Sequence, residues 1–481
     1  MNILKFLFLL CFTIISAYTN AQNYPFPQQV NYTYGIKPNS QTQSVMNSDV
    51  QAKFVQWRSV FVTSNGCPTA GTKRIIQVNN SNYSCSEGIS YGLMVLVYMD
   101  NATNNTKADF DAILGYYKSF LNTQGLMKWQ INASGVPTST SFAGDGDELV
   151  AFACLMADKQ WGSTGNIDYM AEAVRIIKQL ELYNVQSNKT FADGGGGWIF
   201  PAYQMPYAMK EFGVVNSNAT GWNATVAKAY ALFSNFYALN ATGLIYDTCT
   251  PAYAAVDAAH SYYGYDACRV PWHLGLEYVW NGTSSSTLSK NHPTKISNWA
   301  KTAWSSNPSN AKQKYNMNGT VPSGTNSADF GSMVGPMMIG AMTSTDQTWL
   351  NTLYGFCRGL SVGTNYFADN ILMINMIIAT GNMPNFRNMS VYTKVENPES
   401  ESNVTIYPNP NDGKDLNINL NDFKTAEETT VEIYDLQGKK QYSKSFNDNN
   451  IVIPESKLQE GIFLITIKNN NHKITKRIVI K

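Results

Sequence analysis

The stretch Ala143-Gly144-Asp145-Gly146-Asp147-Glu148-Leu149-Val150-Ala151-Phe152-Ala153-Cys154-Leu155-Met156-Ala157-Asp158-Lys159-Gln160-Trp161 sets small and acidic residues against a long apolar run. From Leu149 onward the apolar positions recur near helical spacing, which predicts a helix over 148–161. The small residues ahead of it permit close backbone approach. Asp147 stands where a helix cap belongs, and Asp145 projects from the preceding loop.

Working outward, the same texture returns at 50–62, 88–99, 107–121, 169–183, 223–239, 267–280, 295–304, 331–342, 349–360 and 367–380. These segments are separated by Gly, Asn, Pro and Thr, and alternating strand patterns are rare among them. The pattern predicts an all-α barrel or toroid rather than a sandwich or a parallel sheet. The connections are long; 191–206 carries four consecutive glycines at Gly194 to Gly197. No Gly-Lys-Ser or Gly-Lys-Thr follows them, so they do not form a phosphate loop.

Residues 1–21 read as a secretory signal peptide with an apolar run over 6–17, and cleavage is expected after Ala21. That run is too short for a retained membrane span, and no later transmembrane segment is expected. A net charge of +1, with charged residues at only 14%, leaves no basic patch to follow a phosphate backbone, which argues against nucleic acid. With Cys11 in the leader, six cysteines remain, and Cys67 with Cys85 is the favoured disulfide because both lie in one polar segment. The four histidines are scattered, and Cys-x-x-Cys and His-Glu-x-x-His are both absent; no metal and no cofactor is expected.

Near residue 394 the texture changes. A charged, polar linker over 394–403 separates a domain at 22–393 from a β-like segment at 404–481. Seven short runs, at 404–407, 416–420, 430–434, 441–446, 451–453, 462–467 and 474–480, alternate with turn signals and predict a small β-sandwich. This segment resembles the carboxy-terminal sorting domain of proteins exported by the type IX secretion system. The resemblance rests on Ile406-Tyr407-Pro408-Asn409-Pro410, Val431-Glu432-Ile433-Tyr434-Asp435 with Gly438, Gly461-Ile462-Phe463 and the basic end from Lys476 to Lys481. It implies that the type IX machinery is a partner and that the protein is secreted or held at the cell surface.

Three acids stand in contexts suited to cleaving an acetal, which needs one carboxylic acid to protonate the departing oxygen and one carboxylate to activate water or attack carbon. Glu87, in Ser86-Glu87-Gly88, opens an apolar helix where desolvation would keep it protonated. Taken alone it is equally an ordinary first-turn acid favoured by the helix dipole. Asp145 belongs to the Asp-Gly-Asp run; a calcium loop there would need further oxygen ligands at regular spacing. Asp266, in Gly264-Tyr265-Asp266-Ala267-Cys268-Arg269, precedes a helix with Arg269 on the same face. It reads either as a capping acid with an ion pair or as a carboxylate held ionised for use as a base.

The three motifs, in this order, resemble glycoside hydrolase family 8, which includes endoglucanases, xylanases, chitosanases and lichenases. The signature around the central acid is matched by Ala143 to Asp147 and the helix ending at Trp161, with departures at Gly144 and Val150 that touch no carboxylate. The resemblance implies an (α/α)6 barrel and an inverting mechanism with Glu87 as proton donor, Asp266 as base and Asp145 holding and distorting the central sugar. Trp129, Tyr203, Tyr265, Arg269 and Tyr366 are the substrate-binding candidates. The substrate expected is a β-linked polysaccharide, β-1,4-glucan before β-1,4-xylan, hydrolysed by a monomer. An inactive carbohydrate-binding surface protein and a polysaccharide lyase are the competing readings; the lyase would need a basic cluster at the sugar carboxylate.

Overall fold

The computed structural model describes residues 23–193, 197–389, 404–412, 414–420, 428–435, 439–454, 459–468 and 473–480. The expected signal peptide, residues 194–196 of the glycine run, the linker at 394–403, Gly438, His472 and Lys481 lie outside them. The chain divides into two compact units, one up to residue 391 and one from 392 onward.

The first unit holds twelve α-helices among its described residues: α1 (Gln43–Phe61), α2 (Ser86–Tyr98), α3 (Lys107–Ser119), α4 (Gly144–Trp161), α5 (Tyr169–Tyr183), α6 (Pro206–Val215), α7 (Ala219–Leu239), α8 (Val270–Asn281), α9 (Leu288–Ala303), α10 (Phe330–Met342), α11 (Gln347–Gly359) and α12 (Tyr366–Ala379). The even-numbered helices close a ring, α2 packing on α4, α4 on α6, and so on through α12 back to α2. Each odd-numbered helix lies against the even-numbered one that precedes it, and α1 against α12. This double ring fits an (α/α)6 domain.

Sequence composition explains which helices lie inside. In α10 and α12 nearly every residue is apolar or small and nearly every one is buried, as a helix walled on all sides requires. Helix α5 instead buries Tyr169, Ala173, Ile176, Ile177 and Leu180, one stripe at helical spacing joined by the ion-paired Glu172, and leaves its opposite face polar. The connections follow the same division. Those leading into α2, α4, α6, α8 and α10 are long (62–85, 120–143, 184–205, 240–269 and 304–329), whereas those leaving them span only 99–106, 162–168, 216–218, 282–287 and 343–346.

Helix α4 begins four residues earlier than its apolar run suggests, at Gly144, with Ala143 as a cap residue that makes no side-chain hydrogen bond. Asp147 therefore does not cap it. Its Oδ1 accepts from the Tyr117 hydroxyl at 2.6 Å and from the Met127 amide at 3.0 Å, and burial pushes its carboxyl up to about 7. Early entry into the helix is possible because Gly146 has no side chain; a Cβ there would lie 2.7 Å from the Ser86 carbonyl carbon, at the start of α2. Tyr117→Phe takes one of two donors from a fully buried carboxyl group and is expected to lower stability by about 1–3 kcal/mol, measured by urea unfolding.

The expected disulfide is not formed. Cys67, Cys85, Cys154, Cys249, Cys268 and Cys357 are all free thiols. The sulfur of Cys85 is committed elsewhere, accepting from the Gly88 amide as the cap of α2 and lying 2.9 Å from the Tyr366 hydroxyl.

The second unit is strand-rich. Strands 473–480, 461–468, 429–435 and 440–446, in that spatial order, form one antiparallel sheet; 404–407, 416–420 and 450–453 form another. Leu416, Ile418 and Leu420 alternate inward along their strand. They share one buried cluster with Val431, Ile433, Ile465 and Ile467 of the larger sheet. Among the described residues no helix is long and apolar enough to cross a membrane.

Candidate active site

The groups singled out by sequence stand at the beginnings of the inner helices. Glu87 is in the first turn of α2 and Asp145 in that of α4. Tyr203 ends a short 3-10 turn, Pro201–Tyr203, ahead of α6; Asp266 opens a second one, Ala267–Arg269, that runs into α8; Tyr366 starts α12. Their contacts gather these helix N-termini at one end of the ring. The positive ends of the helix dipoles accordingly face a cluster of acids.

Arg269 is the hub. Its Nη1 donates to Glu87 Oε2 at 2.8 Å and to Asp145 Oδ2 at 2.8 Å, with the Tyr91 hydroxyl at 3.2 Å; its Nη2 donates to Asp266 Oδ1 at 2.7 Å. The guanidinium is buried, and the rings of Tyr203 and Phe367 lie 5.7 and 5.8 Å from its central carbon. One cation thus serves three carboxyl groups. Full ionisation would leave two uncompensated negative charges in a partly desolvated site, so the balance favours a proton on at least one acid.

Burial raises the Glu87 carboxyl to about 7, against the pull of Arg269 and with a further push from Asp145. Its Oε1 also accepts from the Tyr366 hydroxyl at 2.9 Å. Asp266 is raised as well, by removal from bulk solvent first, with Arg269 opposing and Asp145 adding to the rise. Accessibility separates the acids: the side chain of Asp266 is 40% exposed, that of Glu87 19% and that of Asp145 4%. Water therefore reaches Asp266 most readily, while Asp145 is fixed in the interior.

The other candidates divide. The Trp129 carbonyl accepts from the Ser86 amide at 2.9 Å, so its ring, 38% exposed, stands beside the acid segment. Tyr203 stacks on Phe200 at 4.6 Å and is buried against the guanidinium. The Tyr265 hydroxyl donates to Asp329 Oδ2 at 2.9 Å, which ties the loop before α8 to the cap residue of α10. The sequence reading missed Trp198, an exposed ring packed edge-on to His260 at 5.3 Å, and His260 itself, whose charge favours the ionised form of Asp266. A tryptophan directly after a glycine run was the available signal for the first, and the placement of His260 only a few residues before Asp266 was the signal for the second. No cluster of metal-ligating side chains occurs among the described residues.

The chain is 33% identical to a "Beta-glucanase" of Niallia circulans over 391 residues, covering 75% of this chain and 91% of that protein. It is 31% identical to "Endoglucanase C" of Ruminiclostridium cellulolyticum over 398 residues, covering 80% and 82% respectively. Among solved structures, that of a β-1,3-1,4-glucanase from Paenibacillus sp. X4 superposes with a TM-score of 0.70 at 31% identity, over 76% of this chain and 99% of that one. Residues 405–481 match the family described as "Secretion system C-terminal sorting domain". Residues 25–381, which span the whole double ring and every acid on Arg269, match "Glycosyl hydrolases family 8", and the chain belongs to that family as a hydrolase of O-glycosyl bonds.

Proposed function

We propose that the protein is an exported, inverting endo-β-1,4-glucanase in which Glu87 is the proton donor and Asp266 the base. The observation that carries this reading is the unequal exposure of two carboxyls that share one guanidinium: the Glu87 side chain is 19% exposed and that of Asp266 40%, which leaves Asp266 the acid more open to water. Glu87 gives its proton to the glycosidic oxygen as the bond to the anomeric carbon breaks. Asp266 takes a proton from the water attacking that carbon from the opposite face, and the configuration inverts. Asp145, held by Arg269, receives hydroxyls of the sugar at the cleavage point, while the exposed Trp129 and Trp198 supply ring faces along the chain and Tyr203 backs the guanidinium.

The relatives' names favour glucan over xylan, and the Paenibacillus structure brings mixed-linkage glucan into the set. The strand-rich unit is read as a β-sandwich sorting domain, with residues 1–21 as the leader that brings the chain to the type IX machinery. Reducing-sugar release from carboxymethylcellulose, mixed-linkage β-glucan, xylan and chitosan, with Glu87→Gln as control, tests the assignment. Activity chiefly on the glucans supports it, and activity chiefly on xylan replaces it with a β-1,4-xylanase. Proton NMR of the first product must show the α-anomer.

The pH dependence follows from Glu87. A donor must be protonated, so kcat falls about tenfold per pH unit above about 7. The Tyr366 hydroxyl stabilises the ionised carboxylate and lowers its pKa; Tyr366→Phe removes that donor and is expected to move the alkaline limb to higher pH. A limb that stays in place or moves down would separate Tyr366 from the proton donor.

A further inference from the structure

Asp266 occupies the cap position of the 3-10 turn Ala267–Arg269, yet its side chain makes no cap hydrogen bond. An aspartate there ordinarily folds back to accept from the exposed amides that follow it, which would turn its carboxylate toward its own backbone. Here the Cys268 and Arg269 amides, which such a side chain would engage, donate instead to the Gly264 and Asp266 carbonyls, and a different residue pins the turn on either side of Asp266. Oδ1 of Asp247, on the segment that enters the 240–269 connection, accepts from the Ala267 amide at 2.8 Å and the Gly264 amide at 2.9 Å. The Asp247 amide in turn donates to the Tyr262 carbonyl at 2.8 Å, anchoring both strands of the loop to each other. Gly264 is part of the device, since a Cβ at that position would collide with Asp247 Oδ2.

We propose that Asp247 is a positioning residue for the catalytic base: by holding the Gly264 and Ala267 amides on either side of Asp266 it fixes the turn and leaves the Asp266 carboxylate directed at Arg269 and at water. Withdrawal from solvent, and then the neighbouring Asp266, push the Asp247 carboxyl up to about 7. An asparagine or a serine would close the same turn without a second acid next to the first. The inference rests on the reading of Asp266 as the base.

The test is a double-mutant cycle in the full chain, with steady-state hydrolysis of mixed-linkage β-glucan as the readout. Asp247→Ala is expected to lower kcat by about 10²-fold with KM within about threefold, the scale on which small misplacements of a reacting group act. Asp247→Asn keeps an oxygen that accepts both amides and is expected to restore most of that loss. The decisive variant is Asp247→Ala/Asp266→Asn. If Asp247 acts through the base, the double variant is no slower than Asp266→Asn alone; multiplied losses would mean a general effect on the fold and would overturn the proposal. A kcat for Asp247→Ala within about threefold of the parent also overturns it. Should Asp247→Ala fail to fold, Gly264→Ala displaces the same carboxylate and enters the same cycle, with the same two outcomes. The underlying reading fails separately: Asp266→Asn near parental activity removes the base, whatever Asp247 does.

Discussion

Glu87→Gln is expected to lower kcat on polymeric β-glucan by about 10²- to 10⁴-fold, the range associated with a positioned proton donor. The fold has room for the change. An amide oxygen turned toward Arg269 keeps that hydrogen bond, and the amide nitrogen then faces the Tyr366 oxygen, whose own hydrogen can turn to Cys85 Sγ. Only the proton is lost. On an aryl β-cellotrioside whose leaving phenol is acidic, departure needs no protonation, and the variant should retain most of its rate. Equal losses on both substrates would remove Glu87 from the donor's role.

Asp266→Asn is expected to cost a similar factor, about 10²- to 10⁴-fold in kcat, with the opposite pattern across substrates. The asparagine oxygen still accepts from Arg269 Nη2, but the group cannot take a proton from water. An acidic leaving phenol gives no relief, because attack on the anomeric carbon is the impaired step. In Asp266→Ala, azide needs no deprotonation and should restore turnover, yielding the α-glycosyl azide. A retaining enzyme stripped of its nucleophile would give the same α-azide, so the rescue shows that Asp266 serves the attacking group, and the anomer first released by the parent enzyme decides between base and nucleophile. The two variants together separate donor from base by chemistry rather than by loss of rate alone.

The ring of helices was legible because inner and outer helices carry different apolar patterns, and 169–183 coincides with α5 to the residue. Helix α6 was not read. Its ten residues begin with Pro206 and follow a glycine-rich connection, so the periodic signal is too short to register against the loop. The start of α4 was misplaced because Gly144 and Gly146 disfavour a helix by propensity, while the close approach of Asn184 to Gly144 and of Ser86 in α2 to Gly146 requires their small size. The Cys67 and Cys85 pairing failed for a related reason: shared polarity of a segment says nothing about where each sulfur points, and Cys85 is a helix cap. The three acids were legible as motifs, but their common attachment to Arg269, and the parts taken by Asp247 and Trp198, arise only when separate segments of the chain meet at the ring's end.

The inequality between long and short connections bears on how such an enzyme changes over evolutionary time. Every long connection leads into the end of the ring where the acids are, and Glu87 and Asp145 each sit on the helix that follows one rather than within its span. Insertions, deletions or wholesale exchange in 62–85, 120–143 or 304–329 can reshape the walls that meet a polysaccharide while Glu87, Asp145 and Arg269 stay fixed to the scaffold. The connection 240–269 is the exception. It carries Asp247, Asp266 and Arg269, and a change in its length would alter reactivity together with preference. Substrate range in this architecture is thus free to drift at most of the rim and is coupled to catalysis at one place, and grafting experiments between relatives would do well to leave that connection intact.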